Sequence, residues 1–157
     1  MVQVLNGKTI LIDADSIAVN TGIWRTALGN YNFTDDTGAQ AAYTIFTVTG
    51  DVLVSIVGIC QVLMDSGGAA TIELGIVGNT AAIIAQTTAT DLDQYETWQD
   101  AVPEVNPGPV DVTARTFLCA GGADVILTVG AADLTAGDID FLCRWFPVST
   151  DGAVVAA

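Results

Sequence analysis

Apolar residues fall along this chain in runs of strand length, with glycine-containing pairs between them. Gly50-Asp51, Gly67-Gly68, Gly78-Asn79 and Gly121-Gly122 each separate two such runs, where tight turns call for positive φ. Tyr43–Thr49 (YTIFTVT) and Val52–Met64 (VLVSIVGICQVLM) read as a hairpin about Gly50-Asp51, the second strand being long enough to bend at Gly58. Thr71–Val77 (TIELGIV) alternates, with Ile72, Leu74 and Ile76 on one face and Glu73 and Gly75 on the other. Ala81–Ala85 is a short apolar run that fits more than one element type.

The pattern then changes. The stretch from Gln86 to Pro109 is polar and holds three of the four prolines, so 86–110 reads as a long loop, with Asp91-Leu92-Asp93 capping a short helical turn towards Trp98. Loops of this length in compact domains tend to be functional or to reach a partner. Strands return in the C-terminal third. Asp111–Cys119 (DVTARTFLC) is expected to meet Asp124–Val129 (DVILTV) across Gly121-Gly122, and Asp138–Phe146 (DIDFLCRWF) follows a polar connection, Ala131–Gly137. In that last strand Ile139, Phe141, Cys143 and Trp145 share one face, while Asp140, Leu142, Arg144 and Phe146 share the other. Neither face is purely polar, which predicts a core on one side and a second surface on the other.

Residues 1–40 lack this order. Lys8–Ile12 reads as a short strand, and the best helical candidate, Ala14–Leu28, is interrupted by Gly22 and β-branched residues, so the segment is expected to be an irregular N-terminal arm. Seven or eight strands with glycine turns predict an all-β sandwich of jelly-roll type, with its domain over 41–157.

Composition sharpens this picture. Apolar residues make up 51% and charged residues only 14%, against roughly 25% charged in an ordinary soluble domain. Mean hydropathy is +0.53. The longest apolar stretch, Val52 to Met64, covers 13 residues, is broken by Ser55, Gly58 and Gln61, and falls short of the roughly 20 a spanning helix needs, so no membrane partner is expected. The surplus apolar surface is then expected to be buried in the sheet core and against neighbouring subunits. Net charge is −14, from 18 acids and four bases (Lys8, Arg25, Arg115, Arg144). So few cations cannot neutralise a run of phosphates, which argues against nucleic acid as a partner. The acidity keeps an apolar protein soluble before it assembles. Cys60, Cys119 and Cys143 are odd in number, widely spaced and inside predicted strands, so buried free thiols and folding in a reducing cytoplasm are expected. The N-terminus carries no secretory signal pattern.

The chain has no histidine, no phosphate-binding glycine motif and no zinc-ligand spacing, and it is read as non-enzymatic and free of cofactors. Three D-x-D pairs, Asp13/Asp15, Asp91/Asp93 and Asp138/Asp140, could in principle chelate a hard cation or serve a glycosidase, since i and i+2 share a face in a strand. Their places at strand starts and turns favour caps and solubilising groups, and no metal site is expected; Asp138/Asp140 is the strongest pair. Asn32-Phe33-Thr34 matches a glycosylation sequon without a secretory context. Trp145 is expected in the core. Trp24, beside Arg25, and Trp98 fall in segments expected outside the sandwich, which makes them interface anchors, with Arg25 and Tyr95 as secondary candidates.

The stretches Phe46–Gly58, Asp65–Gly75, Thr87–Asp93, Leu127–Gly137 and Trp145–Gly152, in that order, resemble small proteins encoded in the structural modules of tailed bacteriophages. The resemblance spans roughly residues 43–152 and lies in motif order and texture rather than a chemical signature. Within that class the chain is most similar to capsid cement (decoration) proteins in size, sandwich character, acidity and trimeric habit. The resemblance implies a homotrimer on the exterior of a phage head, bound to the major capsid protein. A tail, neck or fibre module and a carbohydrate-binding sandwich are the alternative readings.

Overall fold

The structure, a computed structural model, describes residues 2–5, 8–11, 23–106, 108 and 115–157. In chain order its elements are β1 (Val2–Leu5), β2 (Lys8–Leu11), β3 (Arg25–Asn32), a single helical turn α1 (Phe33–Asp36), β4 (Ala42–Thr49), β5 (Val52–Ser66), β6 (Thr71–Ile76), β7 (Asn79–Thr88), β8 (Thr97–Trp98), β9 (Phe117–Cys119), β10 (Val125–Gly130), β11 (Leu134–Pro147) and β12 (Ala153–Ala156). β1 and β2 form an antiparallel pair of their own. The remaining strands build two antiparallel sheets, ordered β12-β4-β10-β6-β7 and β3-β11-β5-β8, with β9 also hydrogen-bonded to β5. The expected two-sheet sandwich is therefore present; this strand order does not by itself establish a jelly-roll winding.

Between the sheets lies one apolar core, to which Phe46, Ile72, Leu74, Ile84 and Leu127 contribute from one side and Tyr31, Val54, Cys60, Ile139 and Phe141 from the other. β11 shows the period that was legible in the sequence: Ile139, Phe141, Cys143 and Trp145 are buried, and the residues between them are half-exposed.

Two expected hairpins are instead crossings between sheets. β4 and β5 belong to different sheets, so the chain passes over the sandwich edge at Gly50-Asp51. Gly50 has φ of 61°, and the corner is fastened from three directions. Ser149 Oγ accepts from the Asp51 amide at 2.8 Å, Asp51 Oδ1 accepts from the Gly121 amide at 2.7 Å, and the Gly50 carbonyl accepts from the Gly122 amide at 2.9 Å. A positive-φ turn serves a crossing as well as a hairpin, but only the crossing lets Phe46 and Val54 face one another across the core. Likewise β9 pairs with β5, and β10 with β4 and β6, so Gly121-Gly122 joins the two sheets. Residues 111–114, the start of that expected strand, lie outside the described residues.

The proposed arm is also shorter than expected. β3 pairs with β11 over its whole length, from Asn32 opposite Asp138 to Arg25 opposite Trp145. Its inward positions are Arg25, Ala27, Gly29 and Tyr31, too polar, too small or too sparse to read as an apolar stripe. Gly29 is required where it is: a side-chain carbon there would lie 2.7 Å from Ile45 Cγ2 and 2.9 Å from the Phe46 ring. The expected 86–110 loop begins later, since β7 continues to Thr88 and β8 interrupts the rest. β5 keeps its register through Gly58. Its ladder with β11 is regular from Val52 to Cys60 and shifts only between Leu134 and Ile139 of β11. Gly58 lies between Phe141 and Trp98 in the sheet, and a side-chain carbon there would lie 3.4 Å from the Phe141 ring and from Trp98 Cβ.

Candidate interaction surface

The β3–β11–β5 register sorts the outward side chains into cross-strand rows. Asn32 lies beside Asp138, Asn30 beside Asp140 and Ile59, Leu28 beside Leu142 and Val57, and Thr26 beside Arg144 and Ser55. In the next row Phe146 lies beside Leu53, which pairs with Leu118. Trp24 completes this row, its ring 6.3 Å from that of Phe146, and the Arg144 guanidinium sits 5.4 Å from the Trp24 ring centre. Leu28 is 70% exposed and Leu118 56% exposed; Leu142, Phe146 and Leu53 are half-exposed, and Val57 is buried outside the main core. Leu28, Leu142 and Phe146, with Trp24, thus stand among polar residues on the outside of this sheet along β3 and β11, where Thr26, Asn30, Asn32, Asp138, Asp140 and Arg144 hold the other outward positions. The exposed outward positions of the other sheet are mostly polar, among them Thr44, Thr47, Thr49 and Gln86, with Thr128 and Glu73 half-exposed, although Val155, beside Thr47, is 57% exposed.

The four residues singled out as interface candidates separate. Trp24, 36% exposed, belongs to the apolar face just described. Arg25 faces the other way, its guanidinium 4.9 Å from the centre of the Trp145 ring. Tyr95 is 55% exposed, on a backbone with φ of 70°, and its amide donates to the Cys60 carbonyl at 2.7 Å. Cys60 pairs with Ile139 and Arg25 with Trp145, so these two groups stand six residues of β11 apart, about 20 Å. Trp98 is not an interface anchor at all. It is completely buried, it packs 6.4 Å from the Phe141 ring, and its indole N–H donates to Thr87 Oγ1 at 2.8 Å. Its polar sequence surroundings gave no sign of the partner strand that encloses it. Leu28, Leu53 and Leu118 are the face residues that sequence reasoning missed, because only the tertiary register brings them beside Leu142 and Phe146.

Among the acidic pairs, Asp138 and Asp140 do share a face, but amide donors stand between them. Asn30 Nδ2 donates to Asp138 Oδ1 at 2.6 Å and to Asp140 Oδ1 at 3.0 Å, and Asn32 Nδ2 donates to Asp138 Oδ2 at 2.9 Å. Neutral amides thus occupy the position a shared cation would take. Asn32, the sequon residue, also caps α1 through Oδ1, which accepts from the Thr34 amide at 2.9 Å. Asp91 ends a short 3₁₀ turn, and the Asp93 amide donates to Glu96 at 3.0 Å. Asp13 and Asp15 lie outside the described residues. Among the described residues no three metal-ligating side chains come together, and no helix is long and apolar enough to cross a membrane.

The three cysteines are buried free thiols. Burial pushes the thiol of Cys143 up to about 12, with a smaller contribution from Cys119; burial and the nearby Glu96 carboxylate push Cys60 to about 12; burial alone pushes Cys119 to about 11. At neutral pH all three are protonated and weakly nucleophilic. Comparison with protein-family models, with curated proteins and with solved structures finds no match to this chain.

Proposed function

We propose that the chain is a non-enzymatic structural subunit of a tailed-phage virion, a cement protein that binds the outside of the head. The observation that supports the assembly reading is the group of apolar side chains, Trp24, Leu28, Leu142 and Phe146, left exposed or half-exposed on the outer side of the β3–β11 ladder: apolar surface gathered in this way marks a contact with another surface. The resemblance of residues 43–152 to phage structural-module proteins directs that reading to the virion.

The mechanism is mass action. A protein that binds the assembled shell and not its free subunits stabilises the shell by RT ln(1 + [L]/Kd), about 2.7 kcal/mol at a hundredfold excess over Kd. The major capsid protein is the proposed partner, and copies would cluster as trimers. With Trp98 assigned to the core, the contact to the capsid falls to the N-terminal segment and to the connection after Thr88, where Tyr95, Val102 and Val105 are all exposed. Cryo-electron microscopy of the virion tests this reading. Density for the sandwich on the head exterior at three-fold positions is the expected result; finding the chain only in the tail, or in no particle, overturns it.

A further inference from the structure

The outward residues of β11 are Asp138, Asp140, Leu142, Arg144 and Phe146. About Leu142 the pattern is antisymmetric in charge: a carboxylate two positions towards the N-terminus and a guanidinium two positions towards the C-terminus. The flanking strand repeats the apolar centre, since Leu28 lies directly beside Leu142, with Asn30 and Thr26 beside the two charged residues. Arg144 is one of only four cations in the chain, it is held against Trp24, and among the described residues it has no ion pair.

We infer that this face pairs with the same face of a second copy of the chain, around a two-fold axis lying in the interface plane, perpendicular to β11 and passing over Leu142. That operation sets Leu142 against Leu142 and Leu28 against Leu28, and it brings each Arg144 to the Asp140 of the other copy, twice in one contact. Such self-complementarity is what an isologous interface demands. The other face-to-face arrangement, with the β11 strands parallel, sets Arg144 against Arg144 and Asp140 against Asp140, and is disfavoured by like charge. Packed sheets cross at about −30°, so the outer rows diverge and the three central rows carry the contact.

The face is small. Eight residues of two strands cover roughly 27 Å by 10 Å, some 300 Å² per copy in projection, against about 800 Å² in a standard interface. The pairing is therefore weak in solution and fills when copies are crowded on a surface. A two-fold contact joins copies in pairs and would link neighbouring trimers rather than build one. The inference does not rest on the virion reading and is tested on the chain alone.

Sedimentation velocity of the full chain from micromolar to millimolar concentration, in about 0.3 M salt to screen repulsion between two acidic copies, should show self-association rising with concentration. Arg144→Asp and Asp140→Arg should each weaken it at least tenfold. An equimolar mixture of the two variants should restore it, because every cross-contact then joins opposite charges. Leu28→Glu, at an exposed position where folding is not at stake, should also weaken it. Wild-type chain with no concentration-dependent association, charge reversals without effect, a mixture no better than its components, or association untouched by Leu28→Glu would each overturn the inference.

Discussion

Trp98 and Thr87 meet inside the sandwich, the indole N–H donating to the threonine hydroxyl at 2.8 Å with both residues buried. This pair ties the irregular segment after β7 to the core and decides what Trp98 is for. An exposed anchor could be removed at the expense of binding alone. A buried one takes the fold with it.

Trp98→Ala should lower unfolding free energy by about 3–5 kcal/mol, the range for a large aromatic removed from a packed core. Thr87→Val, which keeps the shape but leaves the indole donor unpaired, should cost about 1–3 kcal/mol. Urea denaturation followed by circular dichroism measures both. An unchanged midpoint for Trp98→Ala would return the residue to the surface.

The face assignment of β3 makes neighbouring residues behave oppositely. Gly29 points at Ile45 and Phe46, so Gly29→Val should be destabilising by about 1–3 kcal/mol or more through overpacking. Leu28 points outward and is 70% exposed, so Leu28→Ser should stay within about 0.5 kcal/mol of wild type. Reversed effects in the same denaturation assay would mean that β3 is out of register by one residue.

β3 and β11 also mark how far a sequence can be read. In β11 large apolar residues alternate from Ile139 to Trp145, so the strand, its core face and the mixed character of the other face were all legible. In β3 the inward positions are arginine, alanine, glycine and tyrosine, and the stripe is visible only once Ile45 and Phe46 are seen to fill the space above Gly29. Gly50-Asp51 was legible as a turn but not as a crossing, since both need the same positive φ. Whether β4 and β5 are neighbours depends on residues far away, Ser149 and Gly121, that fasten the corner. The apolar surface was half legible for a similar reason. Leu142 and Phe146 could be placed on one face by counting twos, whereas Leu28 and Leu118 join them through pairings more than 60 residues apart in sequence.

The buried thiols fix a pH dependence. Their folded values lie at about 11 for Cys119 and about 12 for Cys60 and Cys143, above the ordinary thiol value of 9.0. Below pH 9 the thiols are neutral in both folded and unfolded chains, and their contribution to stability is fully present. As pH rises from 9 towards 12 the unfolded chain loses these protons first, so stability should fall across that window. Denaturation midpoints should hold level from pH 7 to 8.5 and decline from pH 9 upward. At pH 8 a thiol reagent should react slowly with native protein and rapidly at all three sites once denaturant is added.

Asn30 gives the acidic cluster a direct test. Because its amide donates to both Asp138 and Asp140, wild-type chain should melt at the same temperature with millimolar Ca²⁺ or with a chelator. Asn30→Asp replaces the donor with a third carboxylate. It should lower the melting temperature through like-charge repulsion, and Ca²⁺ should recover part of the loss, since oxygen ligands are what this cation needs. A Ca²⁺-dependent rise in wild-type melting temperature would show that the pair binds a cation despite the amide between its members.

Fluorescence can separate the three tryptophans by their place in the fold. Trp98 is fully buried and Trp145 is 6% exposed, whereas Trp24 is 36% exposed at the end of the apolar face. Acrylamide quenches an indole at a rate set by its accessibility, so nearly all quenchable emission of the native chain should come from Trp24. Trp24→Phe should remove that component, leave a blue-shifted spectrum that acrylamide scarcely dims, and keep the denaturation midpoint close to wild type, because the residue precedes β3 and lies outside the core. Arg144→Ala should raise the quenching of Trp24 by uncovering one side of the ring, which the guanidinium now screens at 5.4 Å. Strong quenching that survives Trp24→Phe would place Trp98 or Trp145 in water and undo the core assignment on which the outer face depends.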